Sequence, residues 1–272
     1  FNCDKFELMI HDFDPVLINF GFIQVRWYSL AYVLGILIGW WYGKLLIKKI
    51  IPAIDQKKYI DSFDDLIGLI IIGVIFGGRI GYVLFYNPKY YLENMWEIIK
   101  LWEGGMSFHG GLLGVILAIY FFCKTKKLNF KIFFDIISCV APIGIFLGRV
   151  ANFINGELYG LPTNKSWGVI FPKVDNLLRH PSQLYEAALE GLVLFIILNL
   201  FLIKKNFSHG FLSFLFLILY GIFRIISEQF RQPDEQIGYI IGNFSMGTTL
   251  SILMIIFGLI FLRKEILDEK NK

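Results

Sequence analysis

The chain has 272 residues, of which 56% are hydrophobic, 17% are aromatic and only 18% are charged. A soluble domain is typically about 45–50% apolar and about 25% charged, so this composition excludes a soluble core as the main architecture. The formal net charge of +4 is modest, and the excess of basic residues lies between the apolar segments, which argues against a nucleic-acid partner.

Apolar segments of roughly 20 residues recur along the whole chain, and this length crosses about 30 Å of hydrocarbon. We therefore predict an all-α integral membrane protein with seven transmembrane helices in a single membrane-embedded domain, residues 1–272. Lysines cluster after the first, third, fifth and seventh segments, so the positive-inside rule places the N-terminus outside and the C-terminus in the cytoplasm. The predicted helices cover about 28–47, 66–85, 108–123, 132–154, 183–203, 210–228 and 243–262.

Three of these predicted helices contain an arginine, at Arg79, Arg149 and Arg224. A charged side chain at the bilayer centre costs about 2.5–3.5 kcal/mol on insertion scales, so such residues usually face a protein interior or a wet cavity and mark function. Arginines at the depth of lipid headgroups are suited to a phosphodiester, which they bind through charge-assisted hydrogen bonds.

The fourth predicted helix combines small and polar residues. Gly144 and Gly148 have the spacing that lets another helix approach closely. Arg149, Asn152 and Asn155 recur at intervals of three and share one helix face. The alternative is that the asparagines only join helices and that Arg149 reaches outward to the headgroups.

The sixth predicted helix carries a polar stripe, Tyr220, Arg224, Glu228 and Arg231. Arg224 and Glu228 can pair across one turn, which lowers the cost of burying either group. A plain intrahelical ion pair is the alternative, with Arg231 solvated at the end of the helix.

The other predicted helices give weaker signals. His109 lies among glycines at the mouth of the third helix, where it is a candidate proton acceptor or a histidine that is merely hydrogen-bonded. Glycines at 73–81 predict a close-packing face beside the arginine of the second helix. The fifth helix begins at 180–186 and carries Glu190, and its proline suits a helix start, so this motif is interpreted as largely architectural. Tyr28 is also typical of a membrane interface.

These polar residues share one depth. With the predicted orientation they lie in the outward half of the membrane or just beyond it, whereas the inward halves of the helices are almost purely apolar. A transporter or channel would need polar residues through to the cytoplasmic side, so the pattern argues against it. The set comprises Tyr28, Arg79, His109, Arg149, Asn152, Glu157, Tyr220, Arg224 and Glu228.

Four ordered motifs resemble those of the prolipoprotein diacylglyceryl transferases. They are GRVANFINGELYG at 148–160, GMSFHGG at 105–111, RHPSQLYE at 179–186 and FRQPD at 230–234. The resemblance runs from about Asp14 to the last predicted helix, with a short connection between Gly160 and Arg179. It implies an enzyme of the bacterial cytoplasmic (inner) membrane whose active site faces outward.

The resemblance also implies the chemistry. A diacylglyceryl group passes from phosphatidylglycerol to the lipobox cysteine in the signal peptide of a preprolipoprotein. A thioether forms and glycerol phosphate leaves, without a metal or any other cofactor, and the partners besides the bilayer are these two substrates. The predicted catalytic residues are His109, Arg149 and Arg224. The predicted substrate-binding residues are Tyr28, Arg79, Asn152, Asn155, Glu157, Gly160, Tyr220, Glu228 and Arg231.

Two further alternatives stay open. A metal-dependent phospholipid synthase would need an Asp-rich motif on a helix, and the sequence has none. A non-catalytic phospholipid-binding scaffold would bind lipid without turnover.

Overall fold

The computed structural model describes residues 9–21, 24–101, 104–204, 208–233, 239–241 and 244–270, and it is mostly helical. Two positions named above, Asp234 at the end of one motif and Asn243 at the start of the seventh predicted helix, lie outside these residues. The helices are α1 (Trp27–Ile50), α2 (Ala53–Phe85), α3 (Pro88–Glu93), α4 (Phe108–Lys126), α5 (Phe130–Asn155), α6 (Ser182–Glu186), α7 (Leu194–Lys204), α8 (Phe211–Glu228) and α9 (Met246–Lys270).

Six helices in the described part of the chain are long and apolar enough to cross a membrane. They coincide with the first six predicted spans, since α6 and α7 join in one helix, Ser182–Lys204. This confirms a helical membrane protein. The seventh predicted span also falls on a helix, α9, but that helix is not among the six.

The second helix is longer than predicted. It begins at Ala53 and has 33 residues, which corresponds to about 50 Å at 1.5 Å per residue and exceeds the hydrocarbon thickness. Its first turns carry acidic and basic side chains, among them Asp55, Lys57 and Asp61. Apolar content marks only the part of a helix that suits lipid, whereas charged residues such as lysine also favour a helix, so this start was missed.

The chain divides into two compact units. The first unit contains Phe1–Gly39, Ser138–Asn206 and Phe214–Lys272, and the second contains Trp40–Ile137 and Phe207–Ser213.

In the second unit, α2 and α4 pack backbone against backbone along glycines. A Cβ atom added at Gly73 would lie 2.7 Å from the carbonyl oxygen of Gly114, and one at Gly81 would lie 2.7 Å from the Cα of Gly110. Small residues permit this close approach, which in a membrane gains van der Waals contact. The predicted close-packing face of the second helix is confirmed.

Within the second unit, Asp135 caps the start of α8. Its buried carboxylate accepts hydrogen bonds from the backbone N–H of Gly210 at 2.6 Å and of Ser213 at 2.9 Å, and from the Ser213 hydroxyl at 2.6 Å. These amides belong to the first turn of a helix, which has no intrahelical acceptors for them.

The first unit contains short strands that the all-α prediction omitted. Strand β1 (Met9–Ile10) pairs in parallel with β4 (Val169–Ile170), and β4 pairs antiparallel with β5 (Leu178–Arg179). Strands β2 (Val16–Asn19) and β3 (Gln24–Arg26) form a hairpin, and β6 (Tyr239–Ile241) pairs with β7 (Phe244–Ser245). Connections between helices must still satisfy their backbone polar groups, and short strand pairs do so.

Close approaches also shape α5 in the first unit. A Cβ at Gly35 of α1 would lie 3.1 Å from the Cα of Gly144, so α1 does approach α5 at this glycine. An added Cβ at Gly144 or at Gly148 would have no atom within 4 Å, so the prediction that these two glycines are needed for a close approach is wrong, and the approach of α1 depends on Gly35 instead. On another side, a Cβ at Gly191 would lie 2.6 Å from the Phe146 Cβ. Gly191 therefore lets the helix Ser182–Lys204 come close to α5.

Candidate active site

A network of buried arginines and glutamates lies at the centre of the first unit. Arg149 comes from α5, Glu186 from the end of α6, and Arg224 from α8. Between α6 and α7 the chain forms a π-helical segment, Ala187–Val193, and this segment carries Glu190. Such π-helical turns are rare and often lie at functional sites.

Glu186 bridges three guanidinium groups. Its Oε2 lies 2.9 Å from Nε of Arg149, and its Oε1 accepts from Nη1 of Arg224 at 2.9 Å. Arg231 adds its Nη1 at 3.5 Å. The Glu186 side chain is 0% exposed, so the desolvation of this carboxylate is offset by the three cations around it.

Two other carboxylates complete the network. Glu190, also 0% exposed, accepts from Nη2 of Arg149 at 3.3 Å and from Nη1 of Arg224 at 3.4 Å. Glu228 lies 2.8 Å from Nη2 of Arg224, and its Oε1 accepts from the Ser245 hydroxyl at 2.8 Å. The predicted pairing of Arg224 with Glu228 is confirmed.

Arg149 is the member of the network best placed to meet a ligand. Its side chain is 16% exposed, against 9% for Arg224 and 8% for Arg231. Its Nε and Nη2 are held by carboxylates, while its Nη1 has no hydrogen-bond partner among the described residues. A fixed guanidinium with one open edge can bind a phosphate oxygen.

The asparagines of α5 organise the chain that follows the helix. The Nδ2 of Asn152 lies 3.4 Å from Oε2 of Glu157, and the Nδ2 of Asn155 lies 3.3 Å from Oε1. The amide N–H of Glu157 donates to the Asn152 carbonyl at 3.0 Å, and the Glu157 carbonyl accepts from Gln183 at 2.6 Å. The exposed carboxylate of Glu157 is thereby oriented from two helices.

Gly160 lies where three backbone segments meet. Its N–H donates to the His180 carbonyl at 3.0 Å, and its own carbonyl accepts from Nη1 of Arg179 at 2.9 Å. An added Cβ would lie 2.6 Å from the Phe230 carbonyl oxygen, and Gly160 pairs with Arg231 as a β-bridge. Only glycine leaves room for this crossing, which places the backbone of Arg231.

The two predicted site tyrosines differ in exposure. The Tyr28 hydroxyl lies 3.1 Å from that of Tyr32, and Tyr28 interacts electrostatically with Arg149. Tyr220 is only 1% exposed and interacts electrostatically with Glu190. Tyr220 therefore lies within the buried network, whereas Tyr28 is half-buried at its edge.

Arg79 belongs to the second unit and contacts backbone carbonyls. Its Nε donates to the Ile98 carbonyl at 2.8 Å and its Nη2 to that of Glu97 at 2.5 Å, and Nη1 donates to Gly104. The guanidinium lies 5.3 Å from the centroid of the Tyr91 ring. In this arrangement Arg79 holds the 3₁₀ turn Met95–Ile99, which precedes α4. Its predicted role in substrate binding stays a prediction.

His109 also belongs to the second unit, in the first turn of α4. The helix is capped by Ser107, whose hydroxyl accepts from the Gly110 N–H at 3.2 Å. The half-buried imidazole packs edge-to-face on Phe108, with ring centroids 5.5 Å apart. The structure thus collects Arg149, Arg224 and their partners in the first unit and places His109 in the second.

Sequence reasoning did not assign Glu186 and Glu190 to the site. The signal was available, because two carboxylates one turn apart in an apolar helix are as costly in a membrane as the arginines were. Gln183, fully buried beside the Glu157 carbonyl, was missed as well. These polar residues were missed because they lie near a helix start, where polar side chains are common for architectural reasons. A single sequence also does not show which residues of α5 and α8 they contact.

Comparisons with known proteins agree with these features. The family described as prolipoprotein diacylglyceryl transferase matches residues 15–263. Proteins named phosphatidylglycerol–prolipoprotein diacylglyceryl transferase from Rickettsia felis and Rickettsia bellii are each 52% identical to the chain. The first match covers 90% of this chain and 94% of that protein, and the second covers 92% and 95%. A Rickettsia canadensis protein of the same name is 51% identical over 92% of this chain and 96% of its own length. The chain belongs to the prolipoprotein diacylglyceryl transferase family.

Proposed function

We propose that the chain transfers the diacylglyceryl group of phosphatidylglycerol to the lipobox cysteine of prolipoproteins, as the first step of lipoprotein maturation. The observation that carries this proposal is the guanidinium of Arg149, which buried carboxylates hold by Nε and Nη2 while its Nη1 has no hydrogen-bond partner among the described residues. Membership of the transferase family and the names of the relatives support the same substrates.

The arginines supply electrostatic stabilisation. Arg149 and Arg224 bind the phosphate, and both are already fixed by Glu186 before the lipid arrives. Donors held in place at the position where charge develops need no reorganisation during the reaction. Glu228 keeps Arg224 in position through its 2.8 Å ion pair.

The bond changes balance without a cofactor. The cysteine thiol loses its proton, and the thiolate sulfur attacks the carbon of the diacylglyceryl moiety that is bonded to a phosphate oxygen. A C–S bond forms, the C–O bond breaks, and its electron pair stays with the departing glycerol phosphate. His109 is the candidate acceptor of the thiol proton, because an imidazole accepts a proton near neutral pH.

The remaining residues shape the binding site. The oriented carboxylate of Glu157 recognises polar hydroxyls of the glycerol headgroup, while Tyr28 and Tyr220 line the approach to the arginines. Asn152 and Asn155 hold Glu157, and Gly160 places Arg231 through the backbone crossing.

The membrane topology belongs to the same proposal. Seven helices cross the bacterial cytoplasmic membrane as one membrane-embedded domain, with α9 as the seventh, an outer N-terminus and a cytoplasmic C-terminus. Lysines after alternate helices support this orientation. The active site then opens to the outer face, where secreted prolipoproteins emerge.

The test is a detergent-micelle assay with phosphatidylglycerol and a lipobox peptide, which reads the peptide mass and the released glycerol phosphate. Wild type gains the diacylglyceryl mass, and Arg149→Ala loses at least about a hundredfold in rate. Arg26→Ala, which removes an exposed arginine of β3, keeps wild-type activity and is the matched control.

The outcomes separate the alternatives. A mass gain that persists in Arg149→Ala would contradict the role of Arg149 and leave the reaction standing. Folded wild type that binds the lipid without turnover would instead favour the non-catalytic scaffold.

A further inference from the structure

Counted over the residues that the structure describes, the buried network carries no net charge. Arg149, Arg224 and Arg231 face Glu186, Glu190 and Glu228 across ion pairs of 2.8–3.5 Å. The side chains of five of these residues are at most 10% exposed, and Arg149 is 16% exposed. A phosphodiester that enters this site adds one negative charge for which the network has no spare cation.

An uncompensated charge in such a site is costly. Breaking the balance of a buried ion-pair network is strongly unfavourable, because water is not there to solvate the excess charge. A buried carboxyl group that has lost a cationic partner restores the balance by binding a proton. Lipid binding and proton binding are then linked.

On the basis of the proposed function, we propose that binding of the lipid phosphodiester is coupled to the uptake of one proton by Glu190. This links lipid affinity to pH at a carboxylate that has no contact with water. It makes Glu190 a positioning residue, which acts through the arginines that it releases to the lipid.

Geometry selects Glu190 among the three carboxylates. Charge-assisted N–H···O hydrogen bonds are usually about 2.7–2.9 Å long, and Glu186 accepts one of 2.9 Å from Arg224. The Oε2 atoms of Glu186 and Glu228 make ion-pair contacts of 2.9 Å and 2.8 Å without a hydrogen bond among the described residues. Both arginine contacts of Glu190 are longer, 3.3 Å and 3.4 Å. Glu228 also accepts from the Ser245 hydroxyl, whereas in the described part of the chain Glu190 accepts hydrogen bonds from the two arginines alone.

The groups that face Glu190 also favour Glu190 as the carboxylate that binds the proton. Arg149 approaches from α5, and Arg224 and Tyr220 approach from α8. On its own helix the neighbour is Glu186, a carboxylate of like charge one turn away. When Arg149 or Arg224 binds the phosphate, Glu190 loses one of its two arginine partners but is still repelled by the carboxylate of Glu186.

Titration calorimetry of short-chain phosphatidylglycerol into the purified protein measures the coupling directly. Binding heats at one neutral pH, compared in two buffers with different ionisation enthalpies, give the number of protons taken up. A phosphodiester keeps a single negative charge near neutral pH, so the protons counted are those of the protein. Wild type is expected to take up about one proton per lipid bound, and Glu190→Gln none.

Steady-state kinetics give a second readout. In wild type the KM for phosphatidylglycerol rises with pH by up to about tenfold per unit, because one proton is linked to binding. In Glu190→Gln, a neutral side chain of the same shape, KM is independent of pH. Glu93→Gln, which removes an exposed carboxylate of α3 outside the ion-pair network, still takes up one proton and is the matched control.

Infrared difference spectroscopy identifies the protonated group, and it uses Glu-to-Asp variants that retain the carboxylate. Lipid binding is expected to produce a carboxylic-acid C=O band, which Glu190→Asp shifts and Glu228→Asp leaves unchanged. A band shifted by Glu228→Asp instead would overturn the assignment to Glu190.

Two results would overturn the coupling itself. If wild type binds the lipid without taking up a proton, the coupling is wrong, whereas the transfer activity, which is measured separately, is unaffected by this result. No lipid binding by folded protein would remove the coupling together with the proposed function. Proton uptake in a protein without transferase activity would keep the coupling and contradict the transfer.

Discussion

The two units of the molecule both bury arginine, and they use it differently. In the first unit Arg149 and Arg224 meet the carboxylates of Glu186 and Glu190, and one guanidinium edge stays open. In the second unit Arg79 donates to carbonyls of a single connecting segment. A buried arginine therefore does not by itself mark a substrate site, because its partners decide whether an N–H donor is left for a ligand.

The largest expected effect follows from Glu186→Ala in the first unit. The change leaves three guanidinium groups without their common partner, so we expect the free energy of unfolding to fall by about 3–5 kcal/mol. Unfolding in detergent by denaturant measures this. Glu157→Ala, at an exposed carboxylate, should change stability by no more than about 0.5 kcal/mol. Equal effects of the two changes would contradict the buried network.

Arg79→Lys sharpens the contrast between the units. Lysine lacks the planar fork that reaches three carbonyls at once, and we expect a loss of about 2–3 kcal/mol in stability. If Arg79 serves only the connecting segment, the KM for phosphatidylglycerol stays at the wild-type value in the fraction that is folded. A raised KM would show that Arg79 also contacts lipid, as the sequence predicts.

Gly81→Ala tests what holds the second unit together. The added Cβ would lie 2.7 Å from the Gly110 Cα, and we expect a destabilisation of about 1–3 kcal/mol because a backbone must move. Gly68→Ala, on the same helix but with no atom within 4 Å of the added Cβ, is the control and should be neutral or stabilising. Thermal unfolding of the two variants, compared in the same detergent, checks this.

The smallest effect is expected at an ion pair in the connection between α5 and α6 of the first unit. Arg179 donates to Asp175 at 2.6 Å and holds the pKa of Asp175 below its ordinary value. The stabilisation is therefore present above the ordinary pKa of an aspartate, about 3.9, and is lost as the pH falls through the lower folded-state pKa. Asp175→Asn should lower the melting temperature slightly at neutral pH and not at all in strong acid. A difference that persists in acid would contradict this account.

Much of the fold could be predicted from the sequence, because lipid imposes length and polarity on each helix separately. Six spans were placed within a few residues of the observed helices, apart from the charged first turns of α2. The glycine face of α2 and the pair of Arg224 with Glu228 were also predicted, since both depend on spacing within one helix. The π-helical segment at Ala187–Val193 left no signal in the pattern of apolar residues.

The sequence by itself determined that arginines lie in apolar helices and that a charged group there needs a partner. Only the tertiary structure decided the partners, since Glu186 meets Arg149 and Arg224 from two other helices and Arg79 meets carbonyls from a connecting segment. Intrahelical contacts follow from a fixed period of about 3.6 residues per turn. Contacts between helices depend on which faces pack together, and in this chain glycines such as Gly191 set that packing by letting backbones approach.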